Sequence, residues 1–179
     1  MITLVKRLWR CGRVMRAATR TSIATLAIAA PFLWVSSALL APAQAAADIS
    51  AYPDVARAAS DVAAAIDLAA RQKRRVLIDF GANWCPDCKI LEENFQRAEN
   101  VELLHKNFIL VHVNVGAHGM KENADLAARY GIPLSKGIPA LAVLDGKGRT
   151  LFSHKNGEYE SMRSVDAKAV HEFLLRWGK

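Results

Sequence analysis

Two cysteines three residues apart, directly after an apolar run, constrain this chain more than any other feature. They lie in Val76–Lys89, which reads VLIDFGANWCPDCK. Val76–Phe80 is β-branched and apolar and has the length of a buried strand. Gly81–Trp84 supplies a turn. Pro86 suits the first position of a helix, where its missing N–H costs nothing. That places Cys85 at the N-cap and Cys88 one turn into the helix. A bridge between such neighbours closes almost no loop and adds little chain-entropy stabilisation. The pair therefore reads as a working dithiol rather than a staple.

The N-terminus indicates the compartment. Lys6, Arg7, Arg10, Arg13, Arg16 and Arg20 form a basic region without an acid. An apolar region, roughly 21–40, follows, and then Ala43-Gln44-Ala45, an A-x-A cleavage pattern. Residues 1–45 thus read as an export signal cut after Ala45. The alternative is an uncleaved anchor, because the apolar run is about long enough to span a bilayer. Both readings translocate the rest of the chain, since the basic flank stays cytoplasmic. The expected location is periplasmic or otherwise exported. No cysteine sits where a lipoprotein signal would need it, and Cys11 precedes the apolar run. The formal charge of +7 is concentrated in this segment: six of the 24 basic residues lie there, which leaves 18 against 17 acidic residues in the remainder. A net charge of +1 removes the main support for nucleic-acid binding.

After a short Ala-rich linker at 46–52, residues 53–179 read as one domain. Pro53–Arg75 has helical spacing, with basic residues suited to its C-terminal end. A helix from Pro86 through Phe95 and a further helical turn at Val101–His105 precede a strand at Phe108–Val115. On that strand Ile109, Val111, Val113 and Val115 share one face; Leu110, His112 and Asn114 share the other. Lys121–Tyr130 reads as a helix closed by Gly131. An irregular connection reaches Gly-Ile-Pro. Ala140–Asp145 and Arg149–His154 form a hairpin around Asp-Gly-Lys-Gly. A polar loop follows, and Ala167–Trp177 is a last amphipathic helix with Val170, Phe173, Leu174 and Trp177 inward. The order α-β-α-β-α-β-β-α predicts an α/β fold: a mixed sheet of about four strands with helices on both faces.

The thiolate is the attacking species in disulfide exchange. Unsatisfied N–H groups and the helix dipole favour it at Cys85, the expected nucleophile. Cys88, deeper in the helix, is the expected resolving thiol. Pro86 rigidifies the turn. Asp87 places a like charge in the same turn and disfavours the thiolate, which points toward a reducing couple. Asp79 is a carboxylate in an apolar strand, costly unless its pKa rises or it finds a partner. A raised pKa would let it exchange a proton with Cys88. A metal module built on the cysteines is a competing class, but zinc needs about four ligands, and His105 and His118 lack ligand spacing to the pair. A redox-inert membrane adaptor is a third class, disfavoured by the intact cysteines.

Val76–Lys89 resembles the active-site segment of the thioredoxin superfamily, with Asp79 in the strand before Trp-Cys-x-x-Cys-Lys. Tyr130-Gly131 through Gly137-Ile138-Pro139 is similar to the stretch holding that family's cis-proline loop. The resemblance covers roughly 55–178 and is closest to the exported branch. It implies that Pro139 is a cis-proline facing the sulfurs, that Ile138 and Trp84 meet substrate, and that Asp79 is a proton relay behind the dithiol. It implies protein thiols and disulfides as partners, a membrane electron donor if the protein is a reductant, and no cofactor beyond the Cys85–Cys88 disulfide. An oxidase or isomerase is the alternative within the same fold. His112 stands where the family usually has a lysine, either as a partner for Asp79 or as a packing residue. Gly81 replaces a frequent aromatic and should open one wall of the site. Pro133–Lys136 looks like an insertion that could shape partner choice.

Overall fold

The structure, a computed structural model, describes residues 50–118 and 121–179. The export signal at 1–45, the apolar run at 21–40, Cys11 and the linker up to residue 49 lie outside the described residues.

The chain enters through a single 3-10 turn, Val55–Arg57, and continues as α1 (Ala58–Gln72). β1 (Arg75–Gly81) leads to α2 (Pro86–Phe95), α3 (Ala98–Asn107) and β2 (Phe108–Asn114). Then come α4 (Ala124–Arg129), a 3-10 turn at Leu134–Lys136, β3 (Ala140–Leu144), β4 (Thr150–Ser153), a 3-10 turn at Met162–Ser164 and α5 (Ala167–Trp177). The sheet order is β2-β1-β3-β4. β1 is parallel to β2 and antiparallel to β3, and β3 pairs with β4 as a hairpin. The chain therefore has the expected mixed four-stranded sheet with helices on both faces.

Alternation along β1 assigns its residues to two cores. Val76, Ile78 and Phe80 pack with Val62, Ala65 and Ala69 of α1 and with Leu126 and Ala127 of α4. Leu77 packs on the other face with Leu91 and Phe95 of α2, Leu104 of α3 and Leu174 of α5. Leu91 and Phe95 are fully buried, and truncating such a side chain costs about 2–5 kcal/mol. That packing fixes α2, and hence the dithiol, against the sheet. The alanines of α1 let that helix lie close on the opposite face.

Several boundaries differ from the sequence expectation, each for a local reason. α1 stops at Gln72 because Lys73 turns left-handed (φ 54°, ψ 38°) and its N–H returns to Ala69 O. The basic run beyond it serves other helix ends. Arg74 donates to Leu104 O and Phe108 O at the end of α3. Arg75, in β1, donates to Trp177 O at 2.6 Å, satisfying a terminal carbonyl of α5. The helical turn expected at Val101–His105 is the full α3, so two helices connect the parallel strands. Its first turn, Ala-Glu-Asn, has no apolar periodicity. Instead Asn100 is buried and its side-chain amide donates to Asn94 O at 2.7 Å. α4 begins at Ala124 rather than Lys121, because Asn123 is left-handed (φ 60°) and its side chain donates to Val55 O and Asn114 O. The polar loop before α5 is anchored by Tyr159 and Met162, both buried among the residues of the α2 face. Among the described residues, no helix is long and apolar enough to cross a membrane.

Candidate active site

The site lies where β1 ends and α2 begins. Cys85 is the extended N-cap residue of α2 (φ −81°, ψ 116°), followed by Pro86 at the helix start. Cys85 Sγ accepts from the Cys88 N–H at 3.2 Å, one of the donors a helix start leaves unpaired. The two cysteines are joined as a disulfide. Cys88 is fully buried and Cys85 is 4% exposed, so an incoming molecule reaches the pair through Cys85. The Ile138–Pro139 peptide bond is cis, Pro139 is buried, and the Ile138 carbonyl oxygen lies 3.8 Å from Cys85 Sγ. Trp84 is exposed. Its Nε1–H donates to Gly116 O at 2.7 Å, and its ring sits 4.8 Å from that of His118. Asp87 is half-buried, and its Oδ1 has no hydrogen-bond partner. The Pro133–Lys136 stretch forms the 3-10 turn that leads into the cis bond.

Behind the disulfide is a polar cluster. β1 is an interior strand, so Asp79 is not a solvated edge residue; it is fully buried. By alternation it points to the α2 face, like Leu77. Register places His112 of β2 directly beside it. His112 Nδ1 is 3.1 Å from Asp79 Oδ2, and His112 Nε2 is 3.5 Å from Glu92 Oε2 of α2. His112 is thus a partner of Asp79. Both ring nitrogens face carboxylate oxygens, an arrangement suited to the doubly protonated ring. Burial pulls the His112 pKa down, but the hydrogen bond and charge of Asp79, with the charge of Glu92, outweigh it and raise the net value. The ring therefore holds its proton to higher pH than a free imidazole.

Tyr52 completes the cluster. It belongs to the segment read as a linker, yet it is buried, and its hydroxyl donates to Asp79 Oδ2 at 2.6 Å. Tyr52 packs with Cys85 and Cys88, and its ring meets His112 edge-on at 5.2 Å. Its backbone is clamped by Asn83, whose Oδ1 accepts from Tyr52 N–H at 3.0 Å and whose Nδ2 donates to Tyr52 O at 2.8 Å. The expectation that Gly81 opens a wall is therefore wrong. A Cβ on Gly81 would collide with the Tyr52 hydroxyl and ring, so an aromatic from a distant segment fills the space. Tyr52, Asn83 and Glu92 escaped the sequence reading. One signal was available: a glycine inside a strand often marks a close approach, and Gly81 shares a face with Asp79. Among the described residues, no group of three or more His, Cys, Asp or Glu is arranged to hold a metal ion.

A disulfide at a helix start, with Cys85 the less buried of the pair and a carboxylate cluster behind it, can exchange with other thiols and disulfides. Comparison with known proteins agrees with this chemistry. Residues 57–146 match the family described as thioredoxin-like. The thiol:disulfide interchange protein DsbD of Pseudomonas fluorescens is 33% identical over 123 residues, 66% of this chain but 18% of that protein. A thioredoxin of Mycoplasma genitalium is 32% identical over 73 residues, 41% of this chain and 61% of its own length. The chain thus spans less than two thirds of either relative. The crystal structure of a disulphide isomerase from Xylella fastidiosa Temecula1 superposes with a TM-score of 0.64 at 31% identity, over 70% of this chain and 94% of that one. The fold, the position of the dithiol and the match over half the sequence establish that the chain belongs to the thioredoxin-like family.

Proposed function

We propose that this chain is an exported thiol-disulfide oxidoreductase that reduces disulfides in protein substrates. The observation that carries the reading is the Cys85–Cys88 pair at the α2 start, backed by the buried Asp79. In the reduced form, Cys85 thiolate attacks a substrate disulfide. One substrate sulfur leaves as a thiol after taking a proton from water, and the other stays bonded to Cys85. Cys88 then gives its proton to Asp79 and attacks Cys85. The Cys85–Cys88 bond forms and the Cys85–substrate bond breaks; the second substrate sulfur leaves as a thiolate that takes a proton from water, Asp79 returns its own proton to solvent, and the substrate has gained two electrons. Ile138 and Pro139 present backbone beside Cys85 to the substrate strand, with Trp84 flanking the same entrance. Asp87 disfavours the thiolate and so a stable reduced form, which makes the couple reducing. Residues 1–45 deliver the domain at 53–179 across the membrane, and a membrane donor resupplies its electrons.

The potential of the purified chain in glutathione or dithiothreitol buffers tests the direction. The expected value lies near the ~−270 mV of thioredoxin, and a value near the ~−120 mV of a strong dithiol oxidant would overturn it. Cys88→Ser should trap substrates on Cys85; capture by Cys85→Ser alone would reverse the two sulfur roles. The likeness to the Xylella disulphide isomerase favours a second reading, an isomerase. Reactivation of scrambled ribonuclease without insulin reduction would select it.

A further inference from the structure

We propose that Tyr52 is a positioning residue for Asp79, dedicating one carboxylate oxygen to structure and the other to the proton of Cys88. The inference rests on the thiol-disulfide reading above and names a residue that reading does not contain. Two donors converge on Asp79 Oδ2: the Tyr52 hydroxyl at 2.6 Å and the His112 ring at 3.1 Å. Asp79 Oδ1 is buried and has no partner. A buried, unpaired acceptor is costly, and it persists here because the other oxygen is held from two sides. Oδ1 is then the oxygen free to take a proton when Cys88 resolves the mixed disulfide.

Tyr52 is held in place for this from both backbone and ring. Its ring packs with both cysteines, and its backbone is locked by the two Asn83 hydrogen bonds. The groups facing it are Asp79 from β1, His112 from β2 and Glu92 from α2. Burial, then the charge and hydrogen bond of Asp79 and the charge of Glu92, push its phenol well above the usual value. It therefore remains a donor throughout the range in which thiols exchange. Asn83 directly precedes Trp84 and the dithiol, so the segment carrying Tyr52 is tied to the same turn as the sulfurs.

Acid-quenched single-turnover exchange between the reduced full chain and glutathione disulfide at pH 7 tests the assignment. Mass spectrometry of the quenched samples separates formation of the Cys85–glutathione mixed disulfide from its decay as Cys88 attacks. Asp79→Asn should slow the decay by about a hundredfold and leave formation unchanged. Tyr52→Phe frees the carboxylate to turn and should slow the decay by about tenfold, again with formation unchanged. Replacing Tyr52 with 2,3-difluorotyrosine, a near-isostere and stronger donor, draws the Asp79 charge toward Oδ2 and should also slow the decay; this replacement decides the matter alone if Tyr52→Phe does not fold. A packing role would leave the decay of the near-isosteric protein at the parental rate. Parental decay rates in both Tyr52 replacements, while Asp79→Asn is slowed, would overturn the role of Tyr52 and leave the proposed function intact. Absence of any mixed disulfide in the parent chain would instead overturn the proposed function itself.

Discussion

Asp79 and His154 are both buried polar side chains, but they are accommodated differently. Asp79 has two donors. His154 is buried as a neutral ring: its Nδ1 accepts from the Leu141 N–H at 3.2 Å, and Tyr159 and Phe152 meet it edge-on at 4.4 and 5.2 Å. The ring completes the β3 ladder just beyond β4. Burial lowers its pKa to about 4, against opposing charges from Glu158 and Asp79. The unfolded chain binds this proton near pH 6.5 and the folded chain only near pH 4, so the unfolded state gains protons first as pH falls. The site has no effect on stability above pH 6.5; stability then falls down to about pH 4, by about 3 kcal/mol in all. His154→Gln keeps an acceptor for Leu141 and removes the titration. Urea denaturation at pH 7 and pH 4.5 should show a smaller drop for the variant. Equal drops would assign acid sensitivity elsewhere.

At the scale of elements, the strands and α5 were the most legible. α5 spans Ala167–Trp177 as its periodicity predicts, because its amphipathic stripe is strong and Asp166 caps it by accepting from Lys168 N–H. The start of α2 was legible too, since Cys-Pro suits an N-cap followed by a first helical residue. The ends of α1 and α4 were not, because each depends on a non-glycine residue turning left-handed, at Lys73 and Asn123. That conformation costs a side-chain-bearing residue about 1–2 kcal/mol. Lys73 is exposed, so Lys73→Gly should relieve the cost and cap α1 in the ordinary way. Allowing for the greater unfolded-state freedom of glycine, a net gain of about 0.5–1 kcal/mol is expected, seen as a melting midpoint raised by about 2–5 °C. A lowered midpoint would show that the lysine side chain makes a stabilising contact.

At the scale of the whole molecule, the segment before α1 binds the site together. Its backbone is held by Asn83, by Asn114 through Pro53 O at 2.8 Å, and by Asn123 through Val55 O at 3.0 Å. Among its described residues the buried side chain, Tyr52, occupies the space that Gly81 leaves. Strand and segment should therefore be energetically coupled. Gly81→Ala should cost about 1–3 kcal/mol by displacing a buried ring. In a Tyr52→Ala background the same substitution should cost almost nothing. Chemical denaturation of the four members of this cycle measures the coupling, and additive effects would mean that the ring moves aside freely.

What the sequence determined by itself was chemical and local. The Cys-x-x-Cys spacing, the proline between the cysteines and the strand before them specify a dithiol at a helix start. The periodicities of 2 and 3.6 specify the sheet and its flanking helices, because both patterns are expressed within a few residues. The tertiary structure decided which distant groups meet. β1–β2 register set His112 beside Asp79; packing of α2 brought Glu92 to the same ring; and the segment before α1 delivered Tyr52 across 27 residues of chain. No local pattern encodes such encounters. They follow from burial: once folding had removed Asp79 from water, its carboxylate needed donors, and the fold supplied two of them to Oδ2 from Tyr52 and His112.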